Sequence, residues 1–279
     1  MRLKINFRQI AKTCPKYLAG VIMATATCMA LNLKQVQAAT INVPKGYTIS
    51  RVRKADDGTI TQKEYTRLVK ASINGMKDND YTSNDQRIVR PGHLSSNDQR
   101  ELTKFTLSTL NSFRRQLGKR PWKYDRRAQK FANRVAHYYY YQDNASCWDS
   151  DHDLHAILKA ARYSGLNAHI GQAYEDEAGL PITTQYHGQT RPMGLLKKQL
   201  YFNLKQMLFG GYAGSNENDP NNYTEYHHAA DLLSIGKYEP QYRMFGMSFS
   251  ELANDPSKIS VHMLGVPKRY ILNYKKFNH

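Results

Sequence analysis

Cysteine is scarce in this chain of 279 residues, where it occurs only at Cys14, Cys28 and Cys147. The first two lie in an N-terminal stretch that has the marks of an export signal. Once that stretch is removed, Cys147 is the only thiol and an intramolecular disulfide is excluded. Stability must then come from an apolar core, which a chain of about 240 residues is long enough to build.

Acidic residues are absent from residues 1–39, which contain six basic ones. An apolar run extends from Tyr17 to Leu31, and Val36-Gln37-Ala38 offers a small-residue cleavage site. The run is shorter than the ~20 residues that span a bilayer. We therefore predict a signal peptide over 1–39 and an extracellular protein with no transmembrane segment after cleavage.

Positive charge dominates what remains, with a net charge of +11 on residues 40–279. No recognition-helix, RNP or zinc-finger pattern points to nucleic acid. The predicted partners are therefore anionic cell-wall polymers or lipids, and surface components of other cells, although the charge could also serve solubility alone. The sequence has no LPxTG motif, so we predict non-covalent, salt-sensitive association with the cell wall.

The organisation predicted from the sequence is a single sizeable domain with flanking basic segments. Residues 40–96 are predicted to be a weakly ordered extension, with one helix over Lys63–Met76 and a polar, turn-rich stretch after it. The domain occupies 97–272, and a basic tail occupies 273–279.

Helical spacing of apolar residues changes to strand alternation in the last third of the domain. Helices are predicted over Asp98–Leu117, Asp125–Tyr139, Asp153–Tyr163, Met193–Phe209 and Thr224–Leu233. Strands are predicted over Arg243–Ser250 and Ile259–Val266, paired antiparallel, with Val261 and Met263 inward and Ser260 and His262 outward. Helices followed by strands favour an α+β domain with helices packed on a small sheet.

Two motifs resemble the CAP superfamily of cysteine-rich secretory, antigen 5 and pathogenesis-related 1 proteins. Residues 110–121, LNSFRRQLGKRP, are similar to the LNxxRxxxGxxP pattern that opens such domains. Residues 225–233, EYHHAADLL, resemble the bacterial segment GHRxNIL, with His227 where glycine is usual. Segments around Trp148, Tyr174 and Met207 resemble the surface-exclusion, PgrA-type branch of Gram-positive bacteria. The resemblance implies a three-layer α-β-α sandwich.

The resemblance also implies a cleft that holds two histidines and two acids. The histidines fall on His152 and His228, and one acid falls on Glu175. The second acid aligns with Asn203, which carries no charge, and Glu225 could replace it from the same helix face as His228. The candidate ligand-binding residues are thus His152, Glu175, Glu225 and His228.

Three interpretations of this cleft stay open from the sequence. His152, Glu175 and His228 could bind a metal ion, with zinc as the candidate, and leave a water position open. Without metal they would form a histidine–carboxylate cluster that titrates near neutral pH. They could also be a structural remnant. The family has no single agreed activity, so the resemblance implies a surface-interaction or ligand-binding module rather than a reaction.

An extracellular hydrolase is the alternative function. It would be either a metal-assisted enzyme of the same cleft or a cysteine peptidase. Ser146-Cys147-Trp148 resembles the end of the papain-type CGSCW motif, and His262 could activate the thiol. The upstream glycines and a later Asn-Ser-Trp segment are missing. Tyr138–Tyr141 could stack on sugars, but helical spacing favours core packing for part of the run.

Overall fold

The described part of the chain, in a computed structural model, is residues 39–145, 148, 151–180, 189–214, 216–235 and 241–279. The predicted signal peptide lies outside these residues except for Ala39, which is buried in the core. Cys147 lies outside them as well.

The order of elements is helices first and the main strands last. Within the described residues the helices are α1 (Ile49–Asp56), α2 (Gln62–Asp78), α3 (Ser96–Gln116), α4 (Arg126–Tyr138), α5 (Leu154–Tyr163), α6 (Met193–Leu208), α7 (His227–Leu233) and α8 (Tyr274–Asn278). The strands are β1 (Ile88–Val89), β2 (Lys123–Tyr124), β3 (Glu175–Gly179), β4 (Arg191–Pro192), β5 (Met244–Leu252) and β6 (Asp255–Val266). A π-helical turn, Tyr139–Asp143, continues α4.

The main sheet has the strand order β2-β5-β6-β3. Strands β5 and β6 form its centre and pair antiparallel, from Met244 opposite Val266 to Leu252 opposite Asp255, which confirms the predicted pairing. Strand β3 lies antiparallel on the outer side of β6. Strand β2 is parallel to the first residues of β5. Strands β1 and β4 form a separate antiparallel pair.

Helices cover both faces of this sheet. One core cluster joins α4 and α5 to the face that carries Leu264 and Val266. A larger cluster joins α3, α6 and α7 to the opposite face, which carries Val261 and Met263. The predicted α+β class and three-layer α-β-α sandwich are confirmed.

Local signals set the ends of the helices near the site. Asp125 caps α4 and accepts a hydrogen bond from the backbone N–H of Arg127 at 2.8 Å. Asp153 caps α5 in the same way, from the N–H of Ala156 at 2.9 Å. Both carboxylates satisfy donors that the first turn of a helix leaves without partners.

The prediction of a weakly ordered extension over 40–96 is wrong. Residues of α1, α2 and the segment before them belong to the larger core cluster. Tyr47 is buried, with its ring centre 5.5 Å from that of Phe113 and 5.6 Å from that of Phe209. Gly75 lets α2 approach Phe209, since a Cβ there would lie 2.5 Å from the ring. The apolar stripe of α2 supplies the contacts. The polar average composition of residues 40–96 therefore did not prevent this segment from packing against the core.

Two further expectations need correction. The tail 273–279 is not a free segment, because it contains α8, whose Phe277 is buried in the cluster of α4 and α5. His262 does not face outward into solvent but is fully buried. The physical reason is that helices cover both faces of the sheet. Alternate side chains of β6 therefore point into two buried layers, and neither set points into solvent.

None of the helices in the described part of the chain is long and apolar enough to cross a membrane.

Candidate functional site

Two histidines that are 76 positions apart in sequence lie side by side in the structure. His152 precedes the N-terminal cap of α5, and His228 lies in the first turn of α7. Their ring centres are 6.2 Å apart. Both side chains are largely buried and keep some exposure, 14% for His152 and 27% for His228. The fold therefore brings together the two imidazoles singled out in the sequence.

Glu175 on β3 binds the Nδ1 atom of His152. Its Oε2 accepts hydrogen bonds from His152 Nδ1 and from the Tyr139 hydroxyl, each at 2.8 Å. Its Oε1 accepts from His262 Nδ1 at 2.8 Å. The Glu175 side chain is fully buried, and both of its oxygens are engaged. The residue therefore orients His152 rather than facing the cleft.

Asp176 plays the same part for His228. Successive side chains on a strand point to opposite faces, so Asp176 lies on the other side of β3 from Glu175. Its Oδ1 accepts from His228 Nδ1 at 3.0 Å. Each histidine thus has its Nδ1 bound to a buried carboxylate. Within the described residues, no hydrogen bond is made by the Nε2 of either ring.

The charges around His152 shift pKa values in opposite directions. Burial raises the pKa of Glu175, but hydrogen bonds and charge from His152 and His262 outweigh it and lower the pKa to about 2. Burial lowers the pKa of His152, and the hydrogen bond and charge of Glu175, with the charge of Glu177, raise it above its usual value. Glu175 is therefore ionised at neutral pH and favours a protonated His152.

The pKa values of His228 and Asp176 are both raised. Burial lowers the pKa of His228, while the hydrogen bond and charge of Asp176 outweigh this and raise it to about 9. The pKa of Asp176 is raised as well, first by burial and then by the charge of Asp231. The pair therefore retains protons to higher pH than free groups would, and a bound cation would have to displace one.

A cleft of about 510 Å³ lies beside this pair. Its lining includes His228, Glu177, Asn203, Phe202, Tyr212, Trp148 and Glu225. Asn203 is fully buried and donates from Nδ2 to Gly179 O at 3.2 Å, while its Oδ1 has no hydrogen-bond partner among the described residues. A buried amide oxygen without a partner is costly, so a ligand that donates to it would be stabilised.

Glu225 lies in this cleft, but not in the way predicted. The helix begins only at His227, so Glu225 precedes it and does not share a helix face with His228. Its carboxylate accepts from the backbone N–H groups of His227 and, at 3.2 Å, His228. Asp176, not Glu225, is therefore the group that orients the imidazole of His228.

The structure adds residues that sequence reasoning missed. Tyr139 and His262 bind Glu175, the carboxylate partner of His152, and Asp176 binds His228. The acidic run 175–177 in a basic chain was a usable signal, because three carboxylates on one buried strand need partners. Tyr139 had no such signal within its run of four tyrosines.

One group of potential metal ligands includes His152 and Glu175, which the sequence predicted. His152, Glu175 and Glu177 each offer a ligand atom within 4.8 Å of the others. His152 Nδ1 and Glu175 already share a hydrogen bond, so these atoms bind each other instead of a metal ion. The nitrogen atoms that remain for a ligand are the Nε2 atoms of His152 and His228.

These features define a CAP-type sandwich with a histidine cleft beside the edge strand β3. A solved structure described as the CAP domain of Enterococcal PrgA is similar to this chain, with a TM-score of 0.63 and 23% sequence identity. The similarity covers 85% of this chain and 89% of that one. It confirms the CAP fold. A match over 85% of the chain is longer than residues 97–272, so it also includes residues outside that predicted domain. No family model and no curated protein matches the chain.

Proposed function

We propose that this protein is exported, associates non-covalently with the cell envelope and binds a ligand in its CAP cleft through His152 and His228. The structural similarity supports a surface-associated CAP-domain protein. The basic composition supports attraction to anionic envelope polymers or lipids. The module would act in surface interaction, as surface-exclusion proteins do.

The observation that carries the proposal is the pairing of two imidazoles, each held at Nδ1 by a buried carboxylate. This is how proteins orient histidine ligands for a metal ion, because the second-shell carboxylate fixes the tautomer and the ring. With Zn–N distances of about 2.1 Å and a tetrahedral angle, two such rings have centres roughly 5.4 Å apart. The observed separation of 6.2 Å is within 1 Å of that value.

We propose that a divalent cation such as zinc would be held by His152 and His228, whose Nδ1 atoms are bound to Glu175 and Asp176. Two protein ligands leave coordination positions for the ligand that the cleft admits. Glu177 and Glu225 both line that cleft. Their charge adds to the negative potential that would attract a cation.

Zinc titration calorimetry tests the proposal on residues 39–279. We expect one zinc ion per chain, and a loss of binding of at least tenfold in His152→Ala and in His228→Ala. His169→Ala is the matched control, because this histidine is exposed and its side chain makes no hydrogen bond to the cleft residues within the described chain. Sub-stoichiometric zinc that is equal in the wild type and the double variant His152→Ala/His228→Ala would refute the metal site.

The structure gives no support to the cysteine-peptidase alternative. His262 is fully buried, and its Nδ1 is bound to Glu175. Its Nε2 lies 2.8 Å from the Ser250 hydroxyl. With both nitrogens committed inside the core, His262 is not placed to activate a thiol.

A further inference from the structure

Acidic residues are absent from three segments that the fold brings together. The segments are 126–142, 154–174 and 256–279, and they contain eleven lysines and arginines. The first includes α4, the second includes α5, and the third includes most of β6 and all of α8. The sequence separates the first segment from the third by more than a hundred positions, so only the fold reveals their common location.

Contacts between the segments show that they form one surface. The backbone N–H groups of Leu272 and Asn273 donate to Gly165 O, each at 2.9 Å, which joins the end of α5 to the chain before α8. Arg127 Nη1 donates to Asn278 Oδ1 at 2.9 Å, which joins α4 to α8. Arg134 lies over the Tyr163 ring, 4.6 Å from its centre, and joins α4 to α5.

Five exposed cations of this surface have no acidic partner within the described residues. Arg126, Arg162, Lys268, Lys275 and Lys276 are exposed, and none makes an ion pair with an acid of the described chain. Asp125, which directly precedes the first segment, is paired with Arg127 at 2.6 Å. We call these five residues the basic face. Its charge is available to an external polyanion.

Large apolar side chains are exposed among these cations. Leu272 is 67% exposed, Tyr163 63% and Tyr274 51%. They account for three of the seven large hydrophobic residues that are exposed in the described chain. Binding to a purely ionic partner would not require these apolar side chains to be exposed. Basic residues interspersed with tyrosine and leucine are typical of surfaces that rest in the headgroup region of a bilayer.

We propose that the basic face docks on the surface of a bilayer rich in anionic phospholipid, with Leu272 and Tyr274 entering the headgroup region. The lysines and arginines contact lipid phosphates, and the apolar side chains leave water. The proposal rests on the proposed export, since only an exported chain would meet the outer leaflet. Signal-peptide cleavage is a separate measurement, so the two ideas can fail separately.

Vesicle co-sedimentation tests the proposal with residues 39–279, which contain the whole described core. The probe is vesicles of phosphatidylcholine with about one-third phosphatidylglycerol, beside pure phosphatidylcholine. We expect binding to the anionic vesicles only. Each basic residue near such a surface strengthens binding about fivefold, so Lys275→Glu/Lys276→Glu should weaken it by at least about twentyfold.

A matched charge reversal controls for net charge. Lys63 and Lys70 are exposed on α2, which packs in the core cluster on the other face of the sheet. Lys63→Glu/Lys70→Glu changes the net charge by the same amount and should weaken binding less than about threefold. Equal losses in the two double variants, or no binding of the wild type to anionic vesicles, would overturn the proposal. Thermal unfolding by circular dichroism verifies that both variants are folded.

Leu272→Ser/Tyr274→Ser separates a bilayer from a soluble polyanion. We expect this variant to lose vesicle binding about tenfold, because two apolar groups no longer enter the headgroup region. Its binding to soluble poly(glycerol phosphate) should equal that of the wild type. If vesicle binding is unchanged and the polymer binds as tightly as the vesicles, the face recognises phosphate polymers and the bilayer proposal is wrong.

Discussion

Replacing Glu175 by glutamine tests the central network of the site. The side chain keeps its size, so packing is preserved, but its charge and one acceptor oxygen are lost. The new NH₂ group must face either the Nδ1–H of His262 or the pair formed by His152 and the Tyr139 hydroxyl. Both sides present donors, so a donor–donor contact cannot be avoided without movement.

The expected cost follows from burial. The Glu175 and His262 side chains are fully buried, with an N···O distance of 2.8 Å. Removing one partner of a buried charged pair destabilises a protein by about 3–5 kcal/mol. We expect Glu175→Gln to lower the free energy of unfolding by that amount at pH 6, measured by urea unfolding followed by circular dichroism.

The pH dependence gives a sharper test of the same variant. The pKa of Glu175 is lowered to about 2, so its contribution is present above the unfolded value near 4.3 and lost as pH falls toward 2. The pKa values of His152 and His262 are raised, so their contribution is complete below about 6.5 and lost as pH rises through the folded values. The difference between wild type and variant should be largest between about pH 4.5 and 6.5.

Glu217→Gln is the matched control, because the Glu217 side chain makes no ion pair within the described residues, and it should change stability by less than about 0.5 kcal/mol. A loss below about 1 kcal/mol for Glu175→Gln at pH 6, or a difference that is constant from pH 5 to pH 9, would refute the reasoning. It would mean that water or rearrangement satisfies the histidines without the carboxylate.

Two further substitutions test the packing around the sheet. Tyr47→Ala should lower the free energy of unfolding by about 3–5 kcal/mol and speed trypsin cleavage within 49–78, because Tyr47 fixes the N-terminal segment against Phe113 and Phe209. A neutral effect would restore the idea of an undocked spacer. Gly246→Ala should cost about 2–3 kcal/mol in urea unfolding, because the added Cβ would lie 2.4 Å from the Ala128 carbonyl group. A cost below about 0.5 kcal/mol for Gly246→Ala would contradict that account.

The sequence was sufficient for most helices and for the central strand pair. Helix α4 illustrates why: its apolar residues follow one stripe, and Asp125 marks its start by a cap that depends only on neighbouring residues. Strands β5 and β6 are joined by a tight turn, so their pairing is also local. Such features need no knowledge of the rest of the fold.

The histidine cleft was predictable only in part. His152, Glu175 and His228 followed from the family resemblance, but their roles required coordinates. Asp176 and His262 are polar residues on strands whose two faces are both buried, and alternation along such strands cannot distinguish a buried histidine from an exposed one. The docking of residues 40–96 depended on α2 meeting Phe209, a contact between distant parts of the chain.

The arrangement of the layers relates the two proposed surfaces. The basic face belongs to the layer of α4, α5 and α8, whereas most of the cleft lining comes from β3, α6 and the chain around α7. His152, at the start of α5, is the main link between them. Docking through Lys275 and Lys276 therefore covers the outer surface of one helical layer while the cleft opens beside the other. A protein held in this way on an envelope would keep its ligand site accessible from outside, because most of the cleft lining comes from elements outside the layer that carries the cations.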